Sequence, residues 1–433
     1  MNKILYLPTR FFPSISGAEF YIQRIAEILS SNYSYTIDIF TSNALDFKAL
    51  RDPKGKIIEK ENKFFDKVNN LSIKRYPIKY GIPCEEKKTI LKGILAYKSL
   101  NLSDMCLEKF LENGPYTLEL IEYFLKQENF NYDLIHATFF PYFNLIISLI
   151  IGKLINKPTI CTPFFHFSNP RYLNPDLIEV LKKFDLLIAC TNLEKRSLMN
   201  ELKISEEKIK VIPMGVDFKI FESASNAKYR DFTFKETFFK KGEKKYKMVL
   251  CWGYKNYEKG SISILKAIPH IIDKTKKIYF VFIGPSTTAF NRELSQIRKL
   301  KYARIINLTP DNLDGYYDKK KLKAFKEADI YLMPSRSDAF GIAFLEAWAM
   351  GKPVIGAKIG ATPEVIRENI DGFLVEFDNP KDIAEKVLKL LKCKNLKKRF
   401  GSAGKAKVAQ YYTWDIVAGK THELYQEAIN NYK

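Results

Sequence analysis

Short apolar runs alternate with segments of helical period along almost the whole chain. That alternation permits few folds other than βαβ units around parallel sheets. Lys3–Leu7 predicts a first strand, residues 8–17 a Pro/Ser/Gly loop, and residues 18–31 an amphipathic helix. Residues 35–41, 133–137, 158–162, 186–189 and 210–213 continue a first series of strands, with a buried helix over 143–154. A second series runs through residues 248–252, 278–283, 304–307, 330–333 and 353–355, with helices over 261–272 and 341–350. Polar, Lys-rich residues 222–247 read as the separator, and residues 45–130, without clear punctuation, as an elaboration of the first series. At 433 residues the chain is too long for one ordinary core. The expectation is two doubly wound α/β domains facing across a cleft at the carboxyl ends of their strands.

Charge narrows the partners. Lys and Arg outnumber Asp and Glu by 70 to 49, which favours an anionic partner. The excess lies mainly beyond residue 219: residues 1–219 carry 30 basic and 25 acidic groups, whereas 220–433 carry 40 and 24. Lysine runs such as Lys319, Lys320, Lys321 and Lys323 read as solvated surface. Because the lysines are dispersed between periodic elements and no recognised module appears, nucleic acid is not expected as a partner. Six cysteines without a C-x-x-C pair read as buried hydrophobes in a reducing compartment. With a short N-terminal apolar run and none near the ~20 residues of a spanning helix, the expected location is cytoplasmic. Lys74–Lys98, where basic and apolar residues interleave, adds a possible peripheral contact with anionic membrane.

Glycine and aspartate spacing excludes several chemistries. No two glycines stand two positions apart, so the G-x-G-x-x-G fingerprint is absent, and there is no P-loop. No D-x-D exists to carry a divalent metal, and the four histidines show no paired spacing. Neither a cofactor nor a metal is expected. The most informative segment is Pro334–Pro353, where a strand ends and a helix opens. Backbone N–H groups around Phe340, Gly341 and Ile342 form a helix start suited to phosphate. Glu346, a carboxylate in an apolar helix, would be satisfied by ribose hydroxyls. The plain structural alternative has Asp338 capping the helix and Glu346 paired with a lysine. Lys259, at the start of the helix over 261–272, can neutralise a diphosphate, while His166 and Gly17 lie in loops after strands of the first series.

Together these segments resemble glycosyltransferase family 4, retaining enzymes of the two-Rossmann-domain GT-B fold. Ser16-Gly17-Ala18-Glu19 is similar to that family's G-G-x-E loop, Asp133–Ala137 to its D-x-[IV]-H-[AG] strand, and Pro213–Asp217 to its P-N-G-V-D hinge. Gly253 through Lys259-Gly260 resembles G-R-x-x-x-x-K-G, and Phe282-Ile283-Gly284 the later strand end. Asp338 and Glu346 occupy the E-x7-E positions, Gly360–Glu364 the G-G-x-P-E loop, and Tyr411–Trp414 the aromatic turn before a last helix that returns to the first domain. The resemblance implies domains at 1–215 and 216–411, with a returning helix at 412–433. It implies a UDP- or GDP-linked hexose as donor and a glycan or lipid-linked acceptor, in cell-surface polysaccharide or glycolipid synthesis. Catalysis would fall to His166, Asp338 and Lys259. Donor binding would fall to Gly17, Gly253, Lys255, Lys259, Phe340, Gly341, Ile342 and Glu346.

The pattern departs at Tyr254, where the family has Arg and where Lys255 would substitute as a point charge. It also departs at Asp338 for Glu, Ser16 for Gly and Ala361 for Gly. The alternatives are a glycoside phosphorylase or nucleotide-sugar epimerase on the same scaffold, a catalytically silent relative, or a basic nucleic-acid-binding protein.

Overall fold

The computed structural model describes residues 2–14, 16–59, 65–126, 130–166, 171–226, 233–309 and 317–432. The chain divides into two units, Met1–Pro213 with Trp414–Lys433, and Met214–Thr413. The breaks thus fall after 213 and 413, where the sequence placed them after 215 and 411.

In the first unit, β1 (Lys3–Leu7), β2 (Thr36–Ser42), β3 (Phe65–Val68), β4 (Leu71–Tyr76), β5 (Leu134–Thr138), β6 (Thr159–Thr162), β7 (Leu186–Ala189) and β8 (Ile209–Val211) form one sheet. Its order is β3-β4-β2-β1-β5-β6-β7-β8, parallel except for the edge hairpin β3–β4. In the second unit, β9 (Lys247–Trp252), β10 (Ile278–Ile283), β11 (Ile305–Leu308), β12 (Ile330–Met333), β13 (Val354–Ala357) and β14 (Gly372–Val375) form a parallel sheet in the order β11-β10-β9-β12-β13-β14. Parallel strands covered on both faces read as unbroken apolar runs; β10, Ile-Tyr-Phe-Val-Phe-Ile, is buried at every position. Helix Asn144–Ile155 is buried from Asn144 through Gly152, which explains why its sequence shows no polar face.

Each sheet changes direction of winding once. The first builds outward from β1 through β2 and β4 on one side and from β5 onward on the other; the second does so from β9 and β12. Loops leaving the carboxyl ends of such a strand pair diverge and leave room for a ligand. In the second unit these are the loops after Trp252 and after Met333.

The last helix, Trp414–Asn431, belongs to the first unit. Trp414 meets Phe20 and Tyr21 edge-on, with centroids 6.0 Å apart in both cases. Tyr425 bonds Tyr6 at 2.8 Å and the Nδ1 of His136. On its other side, His136 Nε2 meets the Thr162 hydroxyl at 2.8 Å. Burial pushes the His136 imidazole down to about 3.

Several expectations need correction. Residues 45–130 contain β3 and β4, hidden because their solvent-facing positions carry Lys and Ser, and helices such as Asp104–Asn113. β14 was also missed, being short and opened by a glycine. Residues 222–247 are not a bare separator. Helix Phe218–Asn226 reaches into them, and helix Phe234–Phe238 follows with a Thr233/Glu236 capping box; residues 227–232 lie outside the described ones. Within the basic stretch Lys74–Lys98, three lysines have partners inside the first unit. Lys74 lies 3.6 Å from the Tyr123 ring centroid, Lys88 pairs with Glu85 and Glu108, and Lys92 with Asp104. No helix among the described residues is long and apolar enough to cross a membrane.

The buried His136 sets a pH dependence. Between the folded value of about 3 and an unfolded value near ~6.5, the unfolded chain binds the extra proton. Stability is therefore fully present above that range and falls as pH drops through it. Urea unfolding of the first unit at pH 7.5 and 5.5 should show a loss approaching ~1.4 kcal/mol per pH unit below ~6.5. His136→Gln, which cannot titrate, should lose that part of the slope.

Candidate functional site

In the second unit, the two loops at the reversal of winding are laced together. Arg336 forks onto the Glu258 carboxylate with bonds of 2.8 and 2.7 Å, and its backbone N–H donates to the Glu258 carbonyl at 3.0 Å. The Ser335 hydroxyl donates to the same carbonyl at 3.1 Å. This lacing brings Lys259 and Asp338 together. The Lys259 ammonium donates to Asp338 Oδ1 and, at 3.0 Å, to the Ser337 carbonyl. The other oxygen, Asp338 Oδ2, is buried and has no hydrogen-bond partner among the described residues.

Helix Ile342–Ala349 starts at Gly341, whose φ of 97° suits glycine and whose missing side chain leaves the first turn uncapped. The reading in which Asp338 caps this helix is therefore wrong; its carboxylate turns to Lys259 instead. Phe340, just before the helix, is buried edge-on against Tyr412 at 5.5 Å. The uncapped amides of the first turn give a partial positive charge at the helix start.

Glu346 lies in the second turn of the same helix and is 1% exposed. Its Oε1 accepts a 2.7 Å bond from Lys321, itself wholly buried, while Oε2 has no partner among the described residues. The lysine alternative was thus correct for one of the two oxygens. Reading Lys321 as solvated surface was wrong. Lys321, Ala324 and Phe325 form the inward stripe of helix Lys319–Glu327, the i, i+3, i+4 spacing of a buried face. Burial lowers the Lys321 pKa against the opposing pull of Glu346. The Trp252 ring, 4.4 Å from the ammonium, supplies further stabilisation of the charge.

Lys255 is corrected too. Its ammonium is buried and donates to Asn307 Oδ1 and to the Leu308 carbonyl at 2.8 Å, tying the loop after β9 to the end of β11. Burial without a carboxylate pulls its pKa down to about 8. Its bonds do not go to the Lys259–Asp338 pair, and neighbouring Tyr254, at the family's Arg position, is exposed. Gly253 has φ of 142° and marks the end of β9.

The remaining candidates lie in the first unit. Gly17 opens helix Gly17–Asn32, where buried Glu19 takes a bond from the Ser16 hydroxyl and a 2.7 Å ion pair from Arg10. His166, half-buried after β6, meets Tyr172 edge-on at 5.1 Å. Its loop is fixed by Glu194, which accepts from the backbone N–H of Phe165 at 3.0 Å and of Cys190 at 2.6 Å.

A family model described as "Glycosyl transferases group 1" matches residues 233–407, and one described as "Glycosyltransferase Family 4" matches residues 99–219. The chain belongs to this glycosyltransferase family. An uncharacterised glycosyltransferase of Methanocaldococcus jannaschii is 22% identical over 99% of both chains. The D-inositol 3-phosphate glycosyltransferase of Streptomyces bingchenggensis is 30% identical over 39% of this chain, a match that spans 38% of that protein. The crystal structure of Anabaena HepE in complex with UDP-glucose shares the fold with a TM-score of 0.69 and 14% identity, covering 98% of this chain and 99% of that one.

Sequence reasoning missed Lys321, Arg10 and Glu194 in this glycosyltransferase. The inward spacing of Lys321 with Ala324 and Phe325 was a usable signal, as was Thr191-x-x-Glu194, the spacing of a capping box. Removing Lys321 alone strands a buried carboxylate. Lys321→Met should therefore cost about 3–5 kcal/mol in urea unfolding. Lys321→Met combined with Glu346→Leu should recover most of that loss.

Proposed function

We propose that the chain transfers a hexosyl unit, with retention, from a UDP- or GDP-linked sugar to a glycan or lipid-linked acceptor. One observation carries this reading: Asp338 Oδ2 and Glu346 Oε2 are two buried acceptors without donors among the described residues, on either side of one helix start. Leaving such a group unmatched costs about 1–3 kcal/mol, more when it is charged. Hydroxyl groups of a sugar and of a ribose are the donors they lack. A diphosphate between them would meet the amides of Gly341 and Ile342 and the ammonium of Lys259.

In this reading Lys259 leaves Asp338 for the diphosphate as donor binds, and Asp338 turns to the hydroxyls of the transferred sugar. Lys259 and the fixed amides then stabilise the charge that builds on the departing phosphate, the electrostatic logic of an oxyanion hole. Neutralisation by a lysine and helix amides is the role a metal has in other transferases, so a metal-independent reaction is proposed. The acceptor hydroxyl attacks on the leaving-group face, and a donor phosphate oxygen takes its proton; no protein nucleophile is assigned. His166, of the first unit, is proposed as a further catalytic residue.

Thermal shift with UDP, GDP and their sugars tests the donor site. A nucleotide at ~100 times its Kd stabilises by about 2.7 kcal/mol. Lys259→Ala should abolish the shift, and Glu346→Gln should shrink the preference for UDP over 2′-deoxy-UDP. Wild-type responses in both variants would overturn the assignment.

A further inference from the structure

Another buried lysine stands behind the helix that carries Glu346. Helix Lys394–Tyr411 buries Phe400, Gly401, Gly404, Lys407 and Val408, an i, i+3, i+4 stripe in which a charged residue is out of place. Two glycines let this helix come close to helix Ile342–Ala349. A Cβ at Gly401 would sit 1.9 Å from the Gly351 carbonyl oxygen, and one at Gly404 1.9 Å from the Trp348 ring. One turn on from Gly404, the Lys407 ammonium lies 3.8 Å from the centroid of that ring.

Separate segments meet at this one ammonium. It donates to Asp371 Oδ2 at 2.8 Å and to the Val365 carbonyl at 2.6 Å. The Trp348 indole N–H donates to the Asp371 carbonyl at 2.9 Å. Asp371, wholly buried, also accepts from the Arg367 backbone N–H at 2.9 Å and from its guanidinium at 2.6 Å. Burial pulls the Lys407 pKa down to about 8 against the attraction of Asp371, so at pH 7 the pair is charged. Trp348 is thereby held by a bond at its N–H, a cation on its ring and a helix backbone beside it.

At 3.6 residues per turn, positions two apart lie ~200° apart around a helix. Trp348 and Glu346 therefore leave helix Ile342–Ala349 on nearly opposite sides. Lys407 and Asp371 pin one side, and Lys321 pins the other. A helix gripped in this way cannot turn about its axis without breaking a contact, and a displaced Trp348 turns Glu346 with it. We propose that Lys407 is a positioning residue that, by holding Trp348, sets the aim of the Glu346 carboxylate and through it the fit of a donor's ribose. The consequence for a ribose rests on the proposed function; the grip on Glu346 does not.

Titration calorimetry of the full chain at pH 7, with UDP, GDP and their 2′-deoxy forms, reads the ribose contact as a ratio of affinities. Lys407→Met removes the cation from the ring while Arg367 still holds Asp371. Gly404→Ala pushes on the same ring and leaves every charge in place. Both should cut the preference for the ribonucleotide about threefold or more. Lys397→Met breaks a 2.7 Å pair with Asp329 near the start of the same helix and should keep the wild-type preference. A wild-type preference in both Lys407→Met and Gly404→Ala overturns the proposal, as does an equal loss in Lys397→Met. A second measurement needs no nucleotide. In urea unfolding, the effects of Lys407→Met and Glu346→Gln should not add, because both disturb one gripped helix; strict additivity overturns the grip. If the wild type binds no nucleotide while the two effects fail to add, the donor reading falls and the grip on Glu346 stands.

Discussion

A carboxylate in the dry interior of the second unit depends on one lysine. Without Lys321, Glu346 would face desolvation alone, a penalty of several kcal/mol. With it, one oxygen is satisfied and the other is left as an acceptor. The helix Ile342–Ala349 can therefore keep a charged group among apolar neighbours. Its uncapped first turn and the neighbouring Asp338 add further unmet polar groups near the helix start. A buried pair of this kind is weak evidence for stability; under the proposed function it holds an acceptor ready for a ligand's hydroxyl.

The same economy of partners recurs in the loops. Glu258 and Arg336 join the segments after β9 and β12, so that Lys259 reaches Asp338. Glu194 fixes the backbone beside His166, and Arg10 with Ser16 fixes Glu19 beside Gly17. In each case a partnered charge, buried at Glu194 and Glu19 and part-exposed at Glu258, shapes a loop at the carboxyl end of a strand, where doubly wound folds bind ligands.

Much of this architecture was legible because parallel strands leave unbroken apolar runs. β1, β7, β10 and β12 could be placed to the residue from composition alone. β3 and β4 could not, since an edge hairpin is half solvated and Lys74 and Arg75 resemble surface charges until their partners are known: the Tyr123 ring and the Phe12 carbonyl. At the site, Glu346 stood out as a charge in an apolar helix, and Asp338 and Lys259 by motif position. Lys321 was hidden among neighbouring lysines, because a run of like residues conceals which one faces inward. Lys255 was misplaced for the opposite reason: motif position suggested a ligand, and only the fold shows its bonds to Asn307 and Leu308.

The helix Trp414–Asn431 has a consequence for biosynthesis. Trp414 and Tyr425 complete a core whose other members, Tyr6, Phe20, Tyr21 and His136, leave the ribosome first. The second unit is encoded entirely between these two parts. The nascent first unit must therefore wait, with an open aromatic surface, while some two hundred residues are translated and can already fold. Through that interval the aromatic side chains that Trp414 and Tyr425 later cover stay exposed to water.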